Sequence, residues 1–275
     1  LNKLYALNIK FGDVRFTSSD DEGYFFERGS LKSFSSEYDD NNLGIRVLVD
    51  GCWGFAGTNE FTDYAIDNAI KKAISNAKHG AKFRNFPVDF DPIKPTIASY
   101  MQKPTIDPFL MSKTEKMDYM LNIAKKLEGK EKIVYNNMYV AFHRQYKVYA
   151  NTEGTFTDTL VYHCMPEFQL LASNGQEVQS RTFPGHMTAR SGGFEVLKDY
   201  DFENQIEKVY KEVIDLLDAP RIEEEKADII IGGGHLALQL HESIGHATEA
   251  DRIFGMEISY AGKTFIKPEM LGNYQ

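Results

Sequence analysis

The chain has 275 residues, 42% hydrophobic and 13% aromatic, enough for one large domain or two smaller ones with their own cores. Its formal charge of -9, from 40 acidic and 31 basic residues with no basic stripe, excludes a nucleic-acid surface as its main business, because phosphate contacts need clustered Lys and Arg. Cys52 and Cys164 form no Cys-x-x-Cys pair, so neither a disulfide framework nor a thiolate zinc knuckle is indicated, and a reducing, cytoplasmic setting fits.

No apolar run reaches the roughly 18 residues of a membrane span, and "LNKLYALNIKFGD" lacks a signal-peptide core, so no membrane partner is expected. The start without Met reads as trimmed. At the other end "GKTFIKPEMLGNYQ" stops in mid-pattern, and a truncated chain is expected.

Between Asp13 and Gly57 the segments "DVRFTSS", "GYFFERG", "LKSFSSEY" and "LGIRVLVDGCWGFA" are separated by Gly and Asp clusters and read as antiparallel strands and hairpins. Their aromatic residues, Tyr24, Phe25, Phe26 and Trp53, are expected in the core. In "NEFTDYAIDNAIKKAISNAKHG", Phe61, Ala65, Ile66, Ala69, Ile70, Ala73, Ile74 and Ala77 recur at helical spacing, which predicts an amphipathic helix on the sheet with Gly80 as its stop. A linker follows with Pro87, Pro92, Pro95, Pro104 and Pro108, which favour extended backbone. A second helix starts at Ser112, where Ser112 and Glu115 form a capping box, and ends at Gly129.

From Lys132 to Phe183 alternation returns, divided into at least three strands by Glu153-Gly154 and Asn174-Gly175. A third helix is predicted over Phe202 to Leu217, closed by Pro220. "RIEEEKAD" reads as a solvated connection and "ADIIIGGG" as a short buried strand. The "IGGGH" run reads as a tight strand-to-helix connection rather than an anion-binding turn, since it lacks Lys or Ser/Thr at P-loop spacing. The class is α+β, antiparallel sheets with packed amphipathic helices. An amino-terminal α+β region over 1–86, a Pro-containing linker over 87–111 and a second α+β region over 112–275 carrying the last helix are expected.

That last helix is "LALQLHESIGHATEAD", in which His241 is followed directly by Glu242 and, five residues on, by His246. Residues five apart on a regular helix are rotated by roughly 140°, whereas residues four apart differ by roughly 40°. Two imidazoles at the wider angle do not converge on one ion. A π-type turn, which Gly245 would permit, returns His246 to the His241 face and leaves Glu242 beside a metal. Apolar Leu236, Ala237, Leu238 and Leu240 predict that the helix is buried, where two His and a Glu need partners. Glu249 and Asp251 either hydrogen-bond a ligand imidazole or are solvated acids.

The segment "LALQLHESIGHATEADRIFG" resembles the signature of the TldD/PmbA family of zinc metallopeptidases, whose motif is H-E-x-x-x-H. "RFTSSDDEGYFFERGSLKSFSSEYDDNNLGIRVLVDGCWGFAGTNEFT", "ASYMQKPTIDPFLMSKTEKMDYML" and "YANTEGTF" are also similar to that family, so the resemblance covers most of the chain. It implies a zinc-dependent hydrolase cleaving short or unfolded peptides, assembled from two subunits as a homodimer or as a heterodimer with a related subunit. His241 and His246 would be zinc ligands and Glu242 the general base. The third ligand would be a Cys in a β-rich carboxy-terminal domain beyond Gln275, a domain absent here, so that the chain alone is expected to be inactive. The alternative is a non-catalytic partner subunit or metal-binding module of the same fold. The family's non-enzymatic members lack the motif that this chain has.

Overall fold

The computed structural model describes residues 1–7, 9–84, 87–92, 94–185, 189–256 and 262–273. Its contacts divide the chain into two units, the larger built from 1–183 with 189–218 and the smaller from 184–188 with 219–275.

The larger unit is organised by β1 (Phe11–Glu27), β2 (Ser30–Val49) and β3 (Cys52–Thr58), a meander closed by two tight hairpins. Arg28-Gly29 and Asp50-Gly51 take positive φ at both positions, 48° and 62°, then 51° and 67°. These are the mirror-image turns whose twist matches that of paired strands. Helix α2 (Asp63–Gly80) returns across this meander, and β4 (Ile97–Met101) follows within the proline-containing stretch. Next come α3 (Lys113–Lys126), the long hairpin β5 (Ile133–Asn151) and β6 (Phe156–Ser173), and the short strands β7 (Val178–Phe183) and β8 (Arg190–Ser191). Helices α4 (Glu195–Asp199) and α5 (Phe202–Leu217) end the unit, and α1 (Asn2–Tyr5) precedes it.

All described strands join one sheet in the order β3-β2-β1-β5-β6-β4, with β7 and β8 also on β6. Pairing is antiparallel except between β4 and β6, which run parallel. Since β1 pairs with β5 from Asp13 to Glu27, the strands of the 1–86 and 112–275 regions share one sheet. The contacts place the boundary between the two units after Asp218.

Side chains alternate across a strand, and the buried ones choose one face. Tyr24, Phe26, Met138, Val140, Phe142, Phe168 and Leu170 pack under α3 and α5, while Ile45, Val47 and Ala56 pack under Ala69, Ile70, Ala73 and Ala77 of α2. Gly54 makes the second contact possible, because a Cβ there would lie 2.0 Å from the Ala73 carbonyl. Phe25 and Trp53, expected in the core, are only half-buried. Phe25 alternates away from Tyr24 and Phe26, and Trp53 stacks on Phe90.

The helices form where their signals lie. Thr62 caps α2, and Ser112 and Glu115 make the reciprocal capping box of α3. Gly80 does not stop α2 by a left-handed turn. The cap is Ala81 in a right-handed conformation, and a Cβ on Gly80 would strike the Cys52 sulfur at 2.7 Å. The Asp clusters of β1 and β2 are not breaks. Asp20 accepts the amide of Asp39 at 2.9 Å, and the left-handed Asp39, φ 53°, sits in a β-bulge.

"ADIIIGGG" forms no strand: Ile229 and Ile230 are 81% and 99% exposed. A strand needs a neighbour for its N–H and C=O groups, and the described residues of the smaller unit supply none. The motif helix likewise lacks the expected cover, leaving Leu236, Leu238 and Leu240 exposed.

Two polar contacts tie loops to this core. Lys116 of α3 is buried against Glu22 of β1 and donates to the Pro108 carbonyl at 2.7 Å, while Tyr24 and Tyr38 both donate to Glu22 at 2.6 Å. Burial would raise the Glu22 pKa, but Lys116 and the two phenols hold it below the usual carboxylate range. Glu195 accepts the amides of Gly193, Thr105 and Ile106; burial opposes its ionisation, and these N–H groups outweigh it to hold its pKa low. Lys116→Ala, which strands the Glu22 charge in the core, is expected to cost about 3–5 kcal/mol in denaturant unfolding. The Lys116→Met/Glu22→Gln pair should lose much less than the sum of the single changes. Because the Glu195 pKa is lower folded than unfolded, its contribution is complete above the ordinary glutamate value, near 4.5, and is lost as pH falls through the lowered value. Glu195→Gln should flatten that acid limb in thermal melts recorded against pH.

Candidate metal centre

In the smaller unit, α6 (Gly233–Gln239) runs into a π-helical turn, Leu240–Gly245, then a 3₁₀ turn, His246–Thr248, and α7 (Ala250–Ile253). The decisive bond joins the two histidines themselves, since the His246 amide donates to the His241 carbonyl. This is the five-residue hydrogen bond of a π turn. It places the rings together, with centroids 4.6 Å apart and planes at 76°. One ligand atom from each of His241, Glu242 and His246 lies within 4.8 Å of the others.

The expectation of an irregular turn with both imidazoles on one side is therefore met, but Gly245 is not its cause. Gly245 has ordinary right-handed angles, φ -54° and ψ -59°, and a Cβ there would sit 3.4 Å from the Leu240 carbonyl, a normal contact. The turn is held by other groups. The Thr248 hydroxyl donates to the carbonyls of Ile244 and Gly245, at 2.9 and 3.0 Å, and Thr264 donates to the Ala247 carbonyl at 2.6 Å. These are carbonyls that a helix end leaves without partners.

His246 Nδ1 lies 3.2 Å from Glu249 Oε1, and its Nε2 lies 3.9 Å from Glu242. His241 Nε2 is also 3.9 Å from Glu242. Glu249 is paired with Arg252, which together with His246 holds its pKa low, and Arg252 donates to the Gly262 carbonyl at 2.8 Å. Of the two flanking acids, Glu249 thus reaches an imidazole. The Asp251 carboxylate instead accepts the Arg252 amide at 2.9 Å. Glu242, His246, Arg252, Lys263, Thr264 and Phe265 line an open cavity of about 280 Å³. Arg252 was legible as a partner of Glu249 from its three-residue spacing, whereas Lys263 and Thr264 arrive from a separate stretch with no local signal. Cys52 and Cys164 belong to strands of the larger unit, and burial pushes the Cys164 thiol up to about 12.

Two neutral imidazoles and a carboxylate that share one small space are a donor set for a divalent ion such as Zn²⁺. In this chain His241 and Glu242 remain open to solvent, with 64% and 60% of their side chains exposed.

The family model of PmbA/TldA metallopeptidase domain 1 matches residues 12–77. A metalloprotease of Methanocaldococcus jannaschii is 23% identical over 88% of this chain and 52% of its own length, and one of Methanothermobacter thermautotrophicus is 23% identical over 93% and 54%. A metalloprotease TldD homologue of Buchnera aphidicola is 24% identical over 89% of the chain and 50% of the relative. The chain thus spans about half the length of these curated relatives. Among solved structures, a candidate modulator of DNA gyrase from Bacteroides thetaiotaomicron superposes with a TM-score of 0.69 at 14% identity, covering 94% of this chain and 57% of that one. A second such protein, from Thermotoga maritima, gives 0.60 at 19% identity over 81% and 49%. The amino-terminal match and these relatives make the chain similar to the TldD/PmbA family of metallopeptidases, and the solved structures share its fold.

Proposed function

We propose that the whole protein is a zinc-dependent peptidase in which His241 and His246 hold the ion and Glu242 handles the proton. The observation that carries this reading is the π turn, which brings the three donors within 4.8 Å despite a spacing that a regular helix would scatter. The relatives' names supply the reaction class, metal-dependent proteolysis.

A bound divalent ion supplies Lewis acidity, which polarises a peptide carbonyl and eases the ionisation of water near neutral pH. The residues of this chain do the rest. Glu249 holds His246 through Nδ1, the contact that fixes ring orientation and keeps Nε2 toward the cluster. Glu242, directly after His241, is exposed enough to reach water and takes its proton as attack proceeds, then returns it to the departing amine. The family resemblance suggests a cysteine outside this chain as the third protein ligand. It also suggests short or unfolded peptides as substrates, a homodimer or a heterodimer with a related subunit, and a cytoplasmic site of action. No described helix is long and apolar enough to cross a membrane.

In the whole protein, Glu242→Gln should keep its zinc and lose a factor on the order of 10² or more in cleavage of an unstructured peptide. His241→Ala should lose both metal and activity. A Glu242→Gln enzyme with full zinc and full turnover would sink this mechanism. Zinc-loaded wild-type protein that cleaves nothing in a diverse peptide library would leave the non-catalytic subunit as the reading. The 275-residue chain has two imidazoles where a closed site needs more ligands, so its motif zinc should dissociate on dialysis. Stoichiometric zinc that resists a chelator and disappears with His241→Ala would show that Glu249 or another residue of this chain completes the set.

A further inference from the structure

A second pair of histidines lies on the sheet of the larger unit, away from any motif. Glu37, Asp21, His143, His163 and Ser191 stand directly opposite one another on β2, β1, β5, β6 and β8. Phe142 and Cys164, the adjoining residues on β5 and β6, are fully buried in the core. Alternation therefore puts the row on the face of the sheet opposite α3 and α5. The imidazoles of His143 and His163 stack with centroids 6.0 Å apart and planes at 28°. Asp21 Oδ1 lies 2.7 Å from His143 Nδ1. In the tautomer with its proton on Nδ1, the ring donates to Asp21 and presents its lone pair on Nε2. A carboxylate on the far nitrogen is the arrangement that orients an imidazole for a metal and raises its basicity. No hydrogen bond to the His163 ring occurs among the described residues. Solvent reaches the pair, for 26% of the His143 and 50% of the Asp21 side chain is exposed.

We propose that His143 and His163 form a second metal site, a cross-strand pair of imidazoles for a divalent transition-metal ion, with Asp21 positioning His143. Imidazole donors select Cu²⁺, Ni²⁺ and Zn²⁺ over Mg²⁺ and Ca²⁺, which require oxygen ligands, and affinity rises toward Cu²⁺. Metal–nitrogen bonds of about 2.0–2.1 Å set two ring centres about 5 Å apart in a tetrahedral arrangement. To reach this, the observed pair closes by about 1 Å and turns its ring nitrogens toward a common point, a change in side-chain torsions with the strand pairing kept fixed. Only two protein nitrogens take part, so water completes the coordination and exchange is open. The ordinary alternative is a cross-strand aromatic contact with no ligand.

The test uses the tag-free 275-residue chain carrying His241→Ala and His246→Ala, which removes the motif from the measurement. Titration with CuCl₂ by calorimetry near neutral pH should give one ion per chain, with ZnCl₂ binding more weakly by about tenfold or more. The electron paramagnetic resonance spectrum of the Cu²⁺ complex should show coupling to two imidazole nitrogens. Adding His163→Ala should weaken binding at least about tenfold by removing one of the two nitrogens, and adding Asp21→Asn should weaken it by about 10–100-fold. His163→Gln, which keeps a polar side chain at that position, must behave like His163→Ala if the ring is a ligand. Circular dichroism checks that each variant is folded. Absence of binding in the parent variant, or one-ion binding whose affinity is unchanged by either substitution at His163, overturns the proposal.

Discussion

Strand β1 is paired on both edges along nearly its whole length, with β2 on one side and β5 on the other. That double pairing fixes the register of every side chain around it. Because a slip of one residue would send each side chain to the opposite face, it decides at once that Tyr24 and Phe26 meet α3 and α5 and that Asp21 meets His143. It also brings Glu22 beneath Lys116, so that the first strand, the helix at 113–126 and the loop carrying Pro108 are held by one buried charge pair and two phenols. A charge pair of this kind adds little net stability against an apolar replacement. Its effect is to leave one arrangement in which no buried charge is stranded.

The motif of the smaller unit depends on a bond of a different kind. A single backbone hydrogen bond across five residues turns the two histidines toward each other. The carbonyls that this irregularity frees are taken by Thr248 and Thr264, so the π turn is supported and not merely tolerated. The ordinary backbone angles of Gly245 show that the distortion is spread over the turn instead of concentrated in one residue.

Features written in adjacent residues were legible in the sequence, and features set by distant partners were not. The capping box of Ser112 and Glu115, the turn signals at Glu153-Gly154 and Asn174-Gly175, and α5 all follow from local chemistry, and all are present. The five-residue spacing of His241 and His246 contained its own consequence, since only a bulged turn lets both rings serve one ion. By contrast, Asp20-Asp21 and Asp39-Asp40 read as breaks because Asp disfavours strands, yet the Asp20 carboxylate stabilises the bulge that lets two long strands continue. Prolines hid β4, whose parallel pairing with β6 is a long-range contact. The run Ile229 to Ile231 has strand composition without a strand neighbour, and composition alone cannot supply one.

The same exposure bears on how the metal centre would work. Electrostatic catalysis gains its strength where water is excluded, because a charge interaction worth about 1 kcal/mol in water grows severalfold at the lower effective dielectric of a protein surface. In this chain Glu242 and His241 face solvent, and so do Leu236, Leu238, Leu240 and Ile244 around them. A helix that is apolar on several sides is built to be covered. Convergence of the three donors and exclusion of water are therefore separate requirements. The π turn meets the first from local sequence, and the uncovered leucines mark where the second has to be met by surfaces that the described residues of the smaller unit do not themselves provide.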